Sequence, residues 1–545
     1  MADAALNFYK ADLRSIQCHR FVTEVAGPLN GPGDRAGCRF ENGNVITPTG
    51  FQEAWQKLFD LGLMVFSMPQ DAGGLGGPHS VGVILQELQC GANTAFTMYP
   101  ELTHGAADVI AHFALPEDRE LFLPPMMNGR FAGTMCLSAP HAGSDVGAAK
   151  TRARPLDGNV YKITGTKCWI SAGDHDLAEN IVHLVLARIE GEPAGPKGLS
   201  LFIVPKIWVN PDGSLGEPND VVTASIEHKL GIKASATAVL NFGENDGCRG
   251  ILVGGQRNMG MPQMFRMMNG ARIAVGVQGL SIASTAYLNA LSYARQRLQG
   301  SSVRHFKDPN APRVPIIEHS DVRRMLLEMK AKVEGMRTLA VKLALHQDTS
   351  EALAEVDPGQ AAYHRGQVDL LTPILKAYCS DQAFRIAELA IQTYGGENFR
   401  AYLQNIRDFV AAHNTQPGIG AEVRSLGEAT DALERAAGSL MEFFMGGKID
   451  QVTLVASPFL EVMAEVTMAH LLLEAASIAE RQRDADGDGI DDPEQAEADF
   501  YAGKVMAAKY FVNRVLPLIH AMVGTIVADD RSALDIPDSG FSTAF

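Results

Sequence analysis

The chain has 545 residues, too many for one hydrophobic core, so three or four domains are expected. Its 46% hydrophobic and 20% charged residues fit a soluble globular protein. A net charge of −16 argues against nucleic acid or an anionic membrane surface as the main partner, and any polyphosphate ligand would need a local basic patch. Seven cysteines without a C-x-x-C pair point to reduced thiols in a reducing compartment. Met1 to Leu6 has no basic leader pattern and no uninterrupted apolar run reaches membrane length, so a cytoplasmic location is expected.

Residues 1–133 read as helical. Phe51, Ala54, Trp55, Leu58 and Leu61 recur at 3–4 spacing, one buried helix face. The Gly-rich stretch Asp71 to Pro78 fits neither phosphate-binding pattern and follows no buried strand, which predicts a tight interhelical turn.

Residues 134–256 change period and form a β domain. Val182–Ala187, Leu199–Val204 and Ala238–Phe242 are strand-length runs of β-formers separated by turns. Two stretches here carry the chemistry. Thr134-Met135-Cys136-Leu137-Ser138-Ala139-Pro140 through Gly143-Ser144-Asp145 is a strand end breaking into small polar residues. Such a loop lets backbone N–H groups approach a flat polar ligand. Gly165 to Gly173 sets Trp169 and Ser171 two apart, on one strand face. An indole there can pack on a ring while the hydroxyl bonds its rim. The residues alone leave two options, a pocket for a planar heterocycle or an ordinary turn beside a core Trp. His228 is expected to be a hydrogen-bonded structural histidine.

Residues 257–399 return to helix. In the long apolar segment that begins at Met264, Arg272 is followed by more than twenty residues without another charge until Arg295. Such an Arg has either a carboxylate on a neighbouring helix or a ligand. Val322, Met325, Met329, Val333, Met336, Ala340 and Leu343 trace a packing seam. A third helix ends at Gln392-Thr393-Tyr394-Gly395-Gly396. Residues 400–545 form a further helical domain. Asp484 to Asp492 matches the front of a calcium loop, but Gln495 stands at position twelve, so a solvated acidic turn is the plain alternative and no metal is assigned.

These segments resemble acyl-CoA dehydrogenases along nearly the whole chain, in the long bacterial subgroup that includes 3-methylmercaptopropionyl-CoA dehydrogenases. The resemblance implies a mainly α fold with a central β domain. Its parts would be an N-terminal helical domain, a small β-barrel, a C-terminal helical bundle and an extra C-terminal helical domain. It implies FAD held by Met135, Leu137, Ser138, Trp169 and Ser171, with Arg297, Gln392, Gly395 and Gly396 reaching FAD in a neighbouring subunit. Ser144 and Arg272 would meet the acyl-CoA substrate. Electron-transferring flavoprotein would be the electron acceptor, and the assembly a homodimer or homotetramer.

The chain also departs from that family. The usual acidic residue before the loop proline is Ala139 here, a change that bears on loop geometry. The family's Ile-Tyr-Glu-Gly-Thr segment, whose Glu takes the substrate α-proton, is missing, and the alternative home of that base is Ala271. A block of roughly 30–50 residues, about two helices, is absent after Gly396. Glu397 follows at once, but it should lie by the flavin edge rather than across the substrate. Removing a thioester α-proton needs a base within hydrogen-bond reach. FAD-dependent α,β-dehydrogenation is therefore expected to be impaired, and the competing possibility is a non-catalytic flavin- or acyl-CoA-binding relative. No G-x-S-x-G occurs to signal a hydrolase. With the fourth bundle helix gone, a partly bare Val322–Leu343 seam would expose an apolar patch, so either a helix after Arg400 fills the gap or solubility is poor.

Overall fold

The helix expected from the 3–4 spacing is Phe51–Asp60, with Phe51, Ala54, Trp55 and Leu58 buried. Trp55 Nε1 donates to the Gly129 carbonyl at 2.9 Å, so the largest apolar side chain of this face also satisfies its one polar atom. The computed structural model describes residues 16–305, 308, 310–393, 402–485 and 492–541. The described chain divides into two units, one of residues 1–286 with 332–387, the other of 287–331 with 388–545.

In the first unit the Gly-rich stretch is a turn, and close approach explains its glycines. A Cβ on Gly77 would lie 2.4 Å from the Phe66 ring, and one on Gly74 would lie 2.2 Å from the Met68 carbonyl oxygen. The long helix His79–Phe113 is broken at Asn93 (φ −155°, ψ 86°). Asn93 donates to the Ala26 carbonyl and accepts from the Phe96 N–H, capping the second half of the helix.

The β domain is an eight-stranded sheet that closes on itself. Val160–Ser171 pairs in turn with Arg249–Leu252, then come Leu199–Pro205 and Asn180–Ile189. Arg152–Asp157 pairs with both Asn180–Ile189 and Val160–Ser171 and completes the ring. Beyond the ring, Phe131–Cys136 runs parallel to Asn180–Ile189, and Thr237–Phe242 continues the far half of Val160–Ser171. Leu199–Pro205 is buried at every position, as expected of a strand covered on both faces.

Among the described residues, three long helices occupy positions 260–392: Gly260–Gln296, Ser320–Ala352 and Pro358–Gln392. The possibility of a bare second-helix seam is not met. Met325, Met329, Val333, Met336, Ala340 and Leu343 are all buried. The third helix leaves Tyr363, Leu370, Ile374, Tyr378 and Phe384 exposed, while the first exposes Phe265, Val275, Ile282 and Leu288 and the second Leu345. Periodicity identifies a packing face, but it cannot say which helix finds a neighbour.

The second unit packs Gly420–Met445, Ala456–Ala485, Asp492–Arg514 and Ile519–Val527 around Val423, Leu433, Val466, Leu473, Val512 and Ile519. Tyr402–His413 adds Ile406 and Phe409 to this core. Although Lys504, Lys509 and Arg514 keep the apolar run from being uninterrupted, residues 502–527 are long and apolar enough by composition to cross a membrane. A 3-10 turn at Leu516–Leu518 interrupts them, and Val505, Ala508, Val512, Ile519, Val523 and Ile526 face the core, the pattern of an amphipathic core helix. The centre of the acidic Asp484–Asp492 stretch lies outside the described residues.

Candidate functional site

The site is built on a β-bulge in Val160–Ser171. Ala238 pairs with Ile170 and Leu240 with Lys167, so Cys168 and Trp169 together face Val239. The extra residue shifts the alternation by one place. Before the bulge Tyr161, Ile163 and Lys167 point inward; from Trp169 onward Ile170 points inward while Trp169 and Ser171 point out. Trp169 carries the bulge in a left-handed conformation (φ 57°), and its side chain is 58% exposed. A bulky residue at positive φ costs about 1–3 kcal/mol and persists where the surroundings impose it, most often at binding sites. Ala172 (φ 53°) repeats the conformation three residues on, its N–H held by the Ala236 carbonyl at 2.8 Å.

The second stretch is tied to this strand. Cys168 N–H donates to the Ser138 carbonyl at 3.1 Å, and Lys167 Nζ donates to the Leu137 carbonyl at 2.9 Å. Met135, Leu137 and Ser138 are half-buried, and the loop beyond closes through reciprocal bonds between Ala139 and Ala142 at 3.1 and 3.0 Å. Ala139 and Ala142 bury with Ala149 in a small cluster, a space sized for methyl groups in place of the family's acidic side chain. The structure thus ties Leu137 and Ser138 to the strand that carries Trp169 and Ser171. Among the described residues, the hydroxyls of Ser138 and Ser171 and the Trp169 indole N–H have no partner within the protein. Half-buried donors left open around an exposed aromatic face suit a flat, polar-rimmed ligand.

Beneath the loop lies a buried polar layer. Thr134 Oγ1 and His183 Nδ1 are 2.7 Å apart, and the His183 ring meets Phe242 edge-on. His175 accepts the Leu177 N–H and packs edge-on to Tyr99, whose hydroxyl donates to the Ala234 carbonyl and accepts the Ala236 N–H. Burial pushes both imidazoles down to about 3, aided by the Lys206 charge, so both are neutral at physiological pH. Lys167 is fully buried, and desolvation lowers its ammonium to about 8. Keeping that charge costs roughly 3 kcal/mol at neutral pH. Sequence reasoning missed Lys167, because simple alternation puts it on the same face as Trp169. A shallow cavity of about 210 Å³ beside the loop is lined by Pro140, His141, Lys150, Thr151, Gly165 and Thr166, with Lys150 as the local cation.

The remaining candidates are placed separately. Ser144 is exposed at the loop's outer end. Arg272 is half-buried, donates to Asn269 Oδ1 at 2.9 Å and lies over the Phe265 ring. No carboxylate among the described residues pairs with it. Arg297 follows Gly260–Gln296 in the second unit, exposed, with its guanidinium on Gln299 at 2.7 Å. Gln392 is the last residue of the third helix. Gly395, Gly396 and Glu397 lie outside the described residues. His228 is exposed and makes no hydrogen bond among the described residues, unlike the structural histidine expected there.

Four family models match the chain: the acyl-CoA dehydrogenase N-terminal domain at 34–130, its middle domain at 134–244, its C-terminal domain at 258–416, and the acetyl-CoA dehydrogenase C-terminal-like domain at 402–537. The chain is similar to 3-methylmercaptopropionyl-CoA dehydrogenase of Ruegeria pomeroyi, 43% identical over 382 residues that cover 70% of this chain and 63% of that protein. It is 35% identical to a butyryl-CoA dehydrogenase of Syntrophomonas wolfei over 569 positions, covering 95% of this chain and 91% of the relative. That match is longer than the whole 545-residue chain, so the relative carries residues with no counterpart here. The fold is similar to that of an acyl-CoA dehydrogenase of Bacillus anthracis solved with FAD, at 18% identity and a TM-score of 0.57, covering 96% of this chain and 89% of that one.

Proposed function

The chain belongs to the acyl-CoA dehydrogenase family, and from that premise we infer that it binds FAD and an acyl-CoA thioester but abstracts the α-proton poorly. The observation that carries the flavin site is Trp169, held outward at positive φ beside the unpartnered hydroxyls of Ser138 and Ser171. Bound FAD supplies a two-electron acceptor for hydride. This chain's residues would do the rest: Trp169 packs on the ring system, Ser138, Ser171 and the Met135–Leu137 backbone bond its rim, and Arg297, Gln392, Gly395 and Gly396 serve a neighbouring subunit. Arg272, half-buried and without a carboxylate partner among the described residues, suits an anionic or carbonyl group of the substrate, with Ser144 at the outer end.

Proton abstraction is the weak step. Ala271 precedes Arg272 on the long helix and carries no base, and the Tyr-Glu-Gly-Thr segment is absent from the sequence. The extra positions of the Syntrophomonas relative fit the loss of a segment from this chain. A substrate like 3-methylmercaptopropionyl-CoA, transfer of electrons to electron-transferring flavoprotein and a cytoplasmic homodimer or homotetramer complete the reading. Leu370, Ile374 and Tyr378, at i, i+4 and i+8 of the third helix, supply an exposed apolar stripe for a second copy. On the same proposal the chain divides into domains at 133, 256 and 399.

The test is anaerobic mixing of the FAD-loaded protein with a panel of acyl-CoA esters, followed at the flavin band. A perturbed but unbleached spectrum is expected. Fast, complete bleaching would show a base elsewhere, with Glu397→Gln the first variant to make.

A further inference from the structure

Lys167 is the only lysine or arginine that the described residues bury completely. No carboxylate among them neutralises it, and the groups facing it are the thiols of Cys136 and Cys168 and the Leu137 carbonyl. Both thiols are pushed up by burial, Cys136 to about 12, so neither provides a counter-charge at neutral pH. Two other lysines of the domain do have carboxylates, Lys206 at 2.5 Å from Asp174 and Lys162 at 2.5 Å from Asp246. A buried ammonium with one carbonyl for company opposes folding, and a methionine of similar length would fill the slot without that penalty. Residues that break the local rules of stability are expected where function keeps them.

The place of Lys167 says what it serves. Its single hydrogen bond goes to the backbone of Leu137, and the next residue's N–H bonds Ser138. These two contacts are the stitches between the ligand-facing loop and the bulge that turns Trp169 outward. The bulge is also why Lys167 points inward while Trp169 points out, so one register shift places both groups.

We propose that Lys167 is a positioning residue for the flavin site, a buried cation that clamps the Leu137 carbonyl and so holds the Leu137–Ser138 backbone in its FAD-receiving conformation. The proposal rests on the FAD reading above and adds a residue to it. The clamp is a charge-assisted hydrogen bond, roughly twice as strong as its neutral counterpart. Discharging Lys167 weakens the clamp, and FAD affinity should follow its titration.

The test compares wild type with Lys167→Met and Lys167→Arg. FAD dissociation constants are measured by quenching of flavin fluorescence between about pH 6.5 and 9.5, and FAD-free melting temperatures over the same range. Wild-type affinity is expected to fall as pH rises through about 8. Lys167→Met should bind FAD at least ~10-fold more weakly at neutral pH, with no such fall. Lys167→Arg should restore binding and keep it to the top of the range.

The FAD-free melts read the charge without flavin. Because folding lowers the Lys167 pKa, the unfolded chain holds the proton more tightly, and wild-type stability should climb relative to Lys167→Met as pH rises above about 8. Lys167→Met binding FAD as tightly as wild type would overturn the proposal, as would a pH-independent wild-type affinity. Failure of Lys167→Met to fold at neutral pH would also overturn it, since a merely structural lysine is what that result describes. If wild type takes up no flavin at any pH, the FAD reading falls; a flat stability difference would then remove the clamp as well, and a rising one would keep it.

Discussion

The β domain and the third helix both leave large apolar side chains in solvent, and they do so in opposite ways. In the β domain the exposed Trp169 stands on a bulge at positive φ, over a layer of neutral histidines and one unpaired lysine. On Pro358–Gln392, Leu370, Ile374, Tyr378 and Phe384 are exposed along a helix. The first arrangement is costly to the isolated fold and points to a ligand that needs that geometry. The second follows from ordinary helix periodicity and needs no strained backbone to produce it. Exposure by itself tells little, and what the backbone had to do to produce it tells more.

The largest effect expected concerns the chemistry that the third helix leads into. Grafting the segment that long-form relatives carry after the Gly-Gly pair should restore a base, and general-base catalysis is worth ~10²–10⁴-fold. Stopped-flow bleaching of the graft by acyl-CoA no faster than wild type would break the link between the missing segment and the weak step.

Acid should separate the two regions next. His175 and His183 have folded pKa values of about 3, far below the ordinary value of 6.5. Their neutral, buried state therefore contributes stability that is fully present above pH 6.5 and is lost progressively as pH falls toward 3. The slope approaches about 1.4 kcal/mol per pH unit for each histidine. Amide hydrogen exchange between neutral pH and mild acid should show the β domain loosening before the helices of the second unit. Uniform loosening would deny the buried-histidine layer its role.

Trp169→Gly sharpens the contrast further. Glycine relieves the positive φ, so the FAD-free protein should gain about 1 kcal/mol in thermal unfolding. Loss of the indole should weaken FAD binding about 10-fold. A variant that loses both stability and affinity would mark Trp169 as a plain core residue.

A smaller effect is expected from Ile374→Lys with Tyr378→Lys. The pair should lower the oligomeric mass in light scattering while leaving the free energy of unfolding within about 1 kcal/mol of wild type, as for surface changes in general. Unchanged mass would leave the stripe without a second copy.

Much of this was legible in sequence, for reasons that differ by residue. Trp169 and Ser171 lie two apart on a strand, and that spacing survives because the register shift falls between Lys167 and Trp169. The bulge itself was not legible, since it depends on Val239 of another strand facing two residues at once. Lys167 was missed for the same reason, as an unbroken strand would have placed it beside Trp169. On the helices, periodicity found the seam from Met325 to Leu343 and could not show that it would be covered while the third helix stayed bare. The motif Gln392 to Gly396 was readable as a resemblance, and its glycines lie beyond the described residues.

The central claim is that the bulge and loop form a flavin site in this chain despite the lost segment. Its most direct test is to purify the protein with excess FAD, remove free flavin and record the visible spectrum. A yellow protein with stoichiometric FAD released on denaturation is expected. A colourless protein that takes up no flavin would contradict the claim.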